Sequence, residues 1–169
     1  ITKKTKIVSF AHSSNVLGTR SPVKELVSRA RDVSAYVVLD ACQTVPRIPL
    51  NVKKLDVDFA AFSGHKMYGP TGIGVLYGKE SLLSSLQPPS FGGDMVREVT
   101  FEKATWNALP WKFEPGTPPI AEAIGLSAAV DYLKKIGMSR VETHERKIVK
   151  EIYSGLSALD GVDVYGPSP

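Results

Sequence analysis

Lys66 stands in the run Phe62-Ser63-Gly64-His65-Lys66-Met67-Tyr68-Gly69-Pro70, directly after the apolar stretch Val57 to Phe62. A buried strand that ends in a glycine-rich turn holds the turn rigidly and lets a ligand approach its backbone. Ser63 and His65 are residue types that hold phosphate oxygens, and a partly desolvated lysine amine attacks aldehydes. Each also has a plainer role, since turn lysines are usually solvated and lone histidines usually structural. The phosphate-loop pattern with its Gly-Lys-Ser/Thr ending is absent. No second histidine or cysteine falls at zinc-ligand spacing.

Asp40 closes a second apolar run, Tyr36 to Leu39, where an unpaired carboxylate is costly to bury. A protonated pyridine nitrogen suits it as a partner and is kept an electron sink by it. Gln43, three residues on, can donate to a phenolic oxygen beside an aldehyde. Taken alone, Asp40 serves equally well as the start of a turn that caps nearby backbone. Together with Ser63, His65 and Lys66, these residues point to a pyridoxal 5'-phosphate site. Cys42, between Asp40 and Gln43, reads as a buried packing residue. His12 and His144 have the same structural reading, and Trp106 and Trp111 read as packing or interface anchors.

The elements that must position these groups follow from periodicity. Lys6 to Ala11, Tyr36 to Leu39, Val57 to Phe62 and Gly74 to Tyr77 read as strands. Between the first two, Ser21 as N-cap and Pro22 at the first helical position open a helix with Val23, Leu26, Val27 and Ala30 on its apolar face. Strand, helix, strand implies a parallel pair with a right-handed crossover, and continuous apolar strands imply burial on both faces. The expected fold is therefore α/β, a mostly parallel sheet with helices on both sides. His12, Ser13, Ser14 and Asn15 follow the first strand, so three strand ends carry polar groups to one edge, where such sheets bind ligands.

Further along, a short helix is expected over Glu80 to Leu86. Gln87 to Pro119 is broken by proline and glycine, with one hairpin arm near Val96 to Phe101; long ordered segments of this kind are commonly functional or cover a partner. Ile120 to Lys135 reads as a buried helix ended by Gly137. Ser139 opens a surface helix carrying Val141, Ile148, Val149, Ile152 and Leu156, and Val162 to Tyr165 reads as a new strand.

The chain has 169 residues, enough for one domain with a real core. Its formal charge of +4 is scattered, which argues against nucleic-acid binding. One cysteine excludes an internal disulfide. No apolar run spans a membrane and no secretory pattern opens the chain, so the expected location is cytoplasmic. Ile1 at the start and a strand running into a turn at the end read as cuts through a longer protein.

Four segments carry a resemblance: Ser13-Ser14-Asn15-Val16-Leu17-Gly18-Thr19, Val38-Leu39-Asp40-Ala41-Cys42-Gln43, the block Phe62 to Gly74, and Phe113-Glu114-Pro115-Gly116-Thr117-Pro118. Along nearly its whole length the chain resembles the SUF-type (group II) cysteine desulfurases. These belong to the class V aminotransferase group of fold-type I pyridoxal phosphate enzymes. The resemblance implies a large cofactor-binding domain over 1–160, without its N-terminal part, and the start of a small C-terminal domain over 161–169.

It also implies roles. Lys66 is similar to the Schiff-base lysine, Asp40 to the partner of the pyridinium nitrogen, and Ser63 and His65 to phosphate ligands. Gln43 and Asn15 resemble residues near the phenolic oxygen and the substrate. Thr117 is similar to a threonine that reaches the phosphate in the neighbouring subunit, which implies a homodimer. The implied reaction takes sulfur from L-cysteine, leaves L-alanine, and passes the sulfur through a persulfide toward iron–sulfur cluster assembly, with a SUF acceptor protein as partner. The family's sulfur-accepting cysteine and carboxylate-binding arginine match no position here. Lys112 stands where an arginine is common, and Pro115 where a small residue is common. A selenocysteine or cystine lyase, an aminotransferase-like relative, and an inactive piece serving only folding or dimerisation are the alternatives.

Overall fold

The computed structural model describes residues 1–169. Strand β1 (Ile7–Ala11), helix α1 (Val23–Arg31) and strand β2 (Tyr36–Asp40) form the expected crossover unit. β1 and β2 are parallel, with Ile7 opposite Tyr36 and Ala11 opposite Asp40. A four-residue helix α2 (Val52–Leu55) precedes β3 (Phe59–Ser63), which runs parallel to β2. A 3-10 helix over Gly64–Met67 then reverses the chain into β4 (Gly74–Gly78), antiparallel to β3. The sheet order is β1-β2-β3-β4.

The remaining elements are α3 (Glu80–Ser85), a two-stranded arm of β5 (Val96–Val99) and β6 (Ala104–Trp106), a 3-10 turn over Trp111–Phe113, α4 (Ile120–Ile136) and α5 (Met138–Ser157). The arm falls where one hairpin was expected. Phe91 stacks on Trp106 with centroids 5.3 Å apart, and Met95, whose Sδ accepts the Gly92 amide at 3.1 Å, is fully buried, so the segment is ordered by its own side chains. Lys112 is buried, and its Nζ donates to the carbonyls of Ser84 at 2.7 Å and Leu83 at 3.3 Å. It therefore satisfies carbonyls at the C-terminal end of α3, the end that favours a cation.

The core forms because alternate residues of the strands share a face. Val8, Phe10, Val37, Leu39, Ala60 and Tyr77 meet the α1 stripe of Val23, Val27 and Ala30. Burying a side chain such as Leu39 stabilises the fold by about 1.5–3 kcal/mol. A second cluster joins Met67 to Leu126 and Leu133 of α4, with Phe62 and Ile73 packed against it.

The opposite sheet face is open: Ile7 is 60%, Tyr36 49% and Leu76 59% exposed. The sheet is flanked by helices as expected, but in this chain none is laid over Ile7, Tyr36 and Leu76, because an apolar strand marks a residue suited to burial and says nothing of what covers it. α4 is likewise buried on one side only, through Leu126, Ala129 and Leu133, while Ile120, Ile124 and Tyr132 are exposed.

Two local expectations are also corrected. Pro22 itself is the N-cap of α1; Ser21 does not cap, because its Oγ donates to the Ala11 carbonyl at 2.7 Å. Val162 to Tyr165 forms no strand, since the segment has no neighbouring strand to pair with, and the chain there runs irregularly, with Gly166 closing on the Leu17 carbonyl.

At the edge of the sheet away from the polar strand ends, Asp58 is buried as β3 begins. It accepts the Val37 amide at 2.7 Å, Arg31 Nη1 at 2.7 Å and Arg31 Nη2 at 3.0 Å, and pairs with Lys79 at 3.0 Å. Burial pushes its carboxyl up, but the Arg31, Val37 and Lys79 donors overcome this and hold it below the ordinary value. One carboxylate thus joins α1, β2, β3 and the end of β4.

Candidate active site

The parallel register brings the carboxyl ends of β1, β2 and β3 to one edge, as the polar residues after each strand require. Asp40 lies opposite Ala61, and Ser63 is two residues further on, so Asp40 and Ser63 share the open face of the sheet. By strand geometry their backbones lie about 8 Å apart. Asp40 is exposed, so the cost expected for burying a carboxylate at the end of an apolar run does not arise: its strand is buried on the other face. Asp40 Oδ1 accepts the Cys42 amide at 2.9 Å, which is the turn-capping role, and its second oxygen has no protein partner.

Ser63 leads into the 3-10 helix that carries His65 and Lys66. This turn is fixed from below. Met67 is buried against Leu126, the Gly64 amide donates to the Ile73 carbonyl at 2.9 Å, and the Gly69 amide returns to the Gly64 carbonyl at 3.0 Å. At Gly64 a Cβ would meet Ile73 Cγ2 at 2.8 Å and the Ile73 carbonyl at 3.0 Å, so the turn closes only with glycine there. His65 and Lys66 project from this anchored turn as exposed residues and make no side-chain hydrogen bond or ion pair within the chain. The expected partial desolvation of the Lys66 amine is therefore not supplied by this chain. Cys42 Sγ sits 3.5 Å from Ser63 Oγ, half-buried, which agrees with its packing role.

Asn15 and Gln43 line one side of a cleft of about 680 Å³. Asp40, Ser63, His65, Lys66 and Thr117 do not line it. The loop that bears Asn15 is closed by a bridge between Ser13 and Arg20, and Ser14 Oγ accepts the amides of Val16 and Leu17. Ser13 Oγ lies 3.2 Å from the buried Thr44 Oγ1, which ties this loop to the turn that carries Gln43. Arg20 pairs with Glu142 and Arg47 with Glu145, each at 3.5 Å, so α5 braces both loops.

Behind this edge, His12 has its Nδ1 buried without a partner. Burial, and then the Arg20 guanidinium, hold its imidazole below the ordinary 6.5. Thr117 is exposed, with no side-chain hydrogen bond, in the stretch between the 3-10 turn and α4.

Sequence reasoning missed Arg47, Thr44 and Asp58. Arg47 stands four residues after Gln43, the spacing of side-chain neighbours on a helical turn. Asp58 was signalled by Asp56-Val57-Asp58 at the entry to an apolar strand.

The open groups at the edge are complementary to one kind of ligand. Lys66, His65 and the Ser63 hydroxyl follow β3 at the edge where β2 ends in the Asp40 carboxylate, which has an oxygen to spare, and the Gln43 amide stands in the turn after β2. A sheet of this order with a lysine-bearing turn after β3 defines a class of proteins. The chain belongs to the aminotransferase class-V family, whose model matches residues 1–169. It is 52% identical to a cysteine desulfurase of Haloferax volcanii over 167 residues, 99% of this chain and 39% of that one. Among solved structures, the apo cysteine desulfurase of Thermococcus onnurineus superposes with a TM-score of 0.92 at 44% identity, over 98% of this chain and 41% of that one. A C-DES mutant with glycine covalently linked to its pyridoxal phosphate superposes with a TM-score of 0.85 at 25% identity, over 95% of this chain and 43% of that one. The chain thus spans about 40% of the length of the curated relatives it matches.

Proposed function

We propose that this chain is the cofactor-binding part of a pyridoxal phosphate-dependent cysteine desulfurase. The observation that carries the reading is the Lys66 turn: an unpartnered amine on a rigid 3-10 helix beside Ser63 and His65, at the sheet edge that also carries Asp40. Its 52% identity to a cysteine desulfurase supports the choice within the family.

Pyridoxal phosphate supplies an aldehyde that captures amines and a ring that accepts the electrons of a carbanion. In this assignment Lys66 would hold the cofactor covalently and its Nζ would serve as the base for the substrate α-proton. The free oxygen of Asp40 would hold the protonated ring nitrogen. Ser63 Oγ and the His65 ring would hold phosphate oxygens, and the Gln43 amide would donate to the phenolic oxygen. Asn15 would contact substrate. The overall conversion is L-cysteine plus an enzyme thiol to L-alanine plus an enzyme persulfide, whose outer sulfur goes to an acceptor protein and on to iron–sulfur cluster assembly. Cys42 is not the accepting thiol, because it is packed against Ser63. Two subunits assemble, with Thr117 of each reaching the phosphate in the other.

The test is borohydride reduction of the pyridoxal phosphate-loaded protein followed by peptide mapping. The label is expected on Lys66; a label on Lys79 or any other lysine would overturn the assignment. Persulfide and alanine measured with L-cysteine, against selenocysteine and cystine, decide the substrate.

A further inference from the structure

The turn after β2 carries a contact that the reading above does not use. Arg47 Nη1 donates to Gln43 Oε1 at 2.9 Å and to the Gln43 carbonyl at 3.3 Å. The two residues are neighbours because the turn is helical: the amides of Thr44 and Val45 return to Ala41, and those of Arg47 and Ile48 to Thr44. A guanidinium has only donors, so the Gln43 atom facing it must be the carbonyl oxygen. That fixes the otherwise free choice between the two ends of the amide. The NH2 end is left pointing away from Arg47 without a protein partner. Arg47 is itself held from behind by Glu145 of α5 at 3.5 Å.

We infer that Arg47 is a positioning residue that holds the Gln43 carboxamide in one orientation, with its NH2 end presented as donor to the phenolic oxygen of the cofactor. The inference rests on the cofactor assignment above. Without Arg47 the amide can rotate by half a turn and offer its oxygen, which repels an anionic phenolic oxygen. Arg47 touches neither cofactor nor substrate in this role.

The experiment is a double-mutant cycle of Arg47→Met and Gln43→Ala in the protein at its full encoded length, loaded with pyridoxal phosphate. The readout is the pH midpoint of the cofactor's visible band, with cofactor affinity measured alongside. A phenolic oxygen that loses a donor keeps more negative charge for the cationic nitrogen beside it. Arg47→Met should therefore raise apparent proton affinity by about three- to tenfold, the scale of one hydrogen bond. Arg47→Lys should restore part of the change. In the Gln43→Ala background, Arg47→Met should add nothing. An unchanged midpoint in Arg47→Met, or the same shift persisting without Gln43, overturns the inference while the cofactor assignment stands. A wild-type protein that forms no visible band with pyridoxal phosphate overturns both. A thermal melt of each variant separates a general loss of fold from loss of orientation.

Discussion

Asp58 Oδ2 accepts the backbone amide of Val37 at 2.7 Å, so a carboxylate at the entry of β3 bonds directly to the backbone of the neighbouring strand. The same carboxylate takes both terminal nitrogens of Arg31. Asp58→Asn keeps the shape but removes the charge and part of the acceptor set. Hydrogen bonds to charged groups contribute about 1.5–3 kcal/mol each, so a loss of about 2–3 kcal/mol is expected. Chemical denaturation should show a lower midpoint with an unchanged slope.

Asp58, with the more exposed Asp56 beside it held down by Lys79, and His12 give the fold an acid limit. Asp58 has its folded value depressed, so its contribution is full above the ordinary 3.8 and is lost as pH falls through the lower folded value. His12 is also depressed, by burial first and Arg20 second. The unfolded chain therefore binds more protons at His12 below 6.5, and stability declines there too. Stability measured against pH should fall in two stages, a first decline below 6.5 and a second below 3.8. His12→Gln should remove the first stage only.

Gly64→Ala should disturb the Lys66 turn. Its Cβ would meet the Ile73 carbonyl at 3.0 Å and Ile73 Cγ2 at 2.8 Å. The carbonyl cannot yield, because it accepts the Gly64 amide in the same turn. A cost of about 1–3 kcal/mol is expected, with weaker retention of pyridoxal phosphate. Gly93→Ala is the control: nothing lies within 4 Å of its Cβ position, and it should change neither readout.

Cys42→Ala should leave persulfide formation intact in the protein at its full encoded length. Its thiol is half-buried and 3.5 Å from Ser63 Oγ. Mass spectrometry after L-cysteine addition checks this. Loss of the persulfide with cofactor still bound would make Cys42 the nucleophile.

Thr117 tests assembly. A Thr117→Val subunit paired with a Lys66→Ala subunit leaves one intact lysine, served by the wild-type threonine of the other subunit if the contact crosses the two-fold axis. Cofactor affinity at that lysine should stay at the wild-type level, while the Thr117→Val homodimer loses about tenfold to a hundredfold. The same loss at the intact lysine of the mixed dimer would confine Thr117 to its own subunit.

The sequence made the candidate edge legible because its signals are local. Asp40, Ser63 and the His12 to Asn15 run each follow an apolar stretch, and a parallel register does the rest. What it left hidden depends on distant groups. The direction of β4 is fixed by the 3-10 reversal at Gly64–Met67, which an apolar run cannot announce. α2 is only four residues long, and its sole strong mark is Asn51, whose side chain accepts the Lys54 amide at 2.8 Å. Asp58 has partners on three other elements, far away in sequence. The exposure of Tyr36 and Leu76 was illegible because β-rich residues read alike whether or not a layer covers them.

The bare face has a practical outcome for anyone producing this chain by itself. Ile7, Tyr36 and Leu76 lie on it, and β1 and β4 each keep one side without a neighbouring strand. Such a surface is sticky toward copies of itself, and the lysines flanking the edge strands, Lys3, Lys4 and Lys6 ahead of β1 and Lys79 after β4, act as gatekeepers. Overexpression should drive material into inclusion bodies and recruit holdase chaperones, and refolding yield should drop steeply as protein concentration rises.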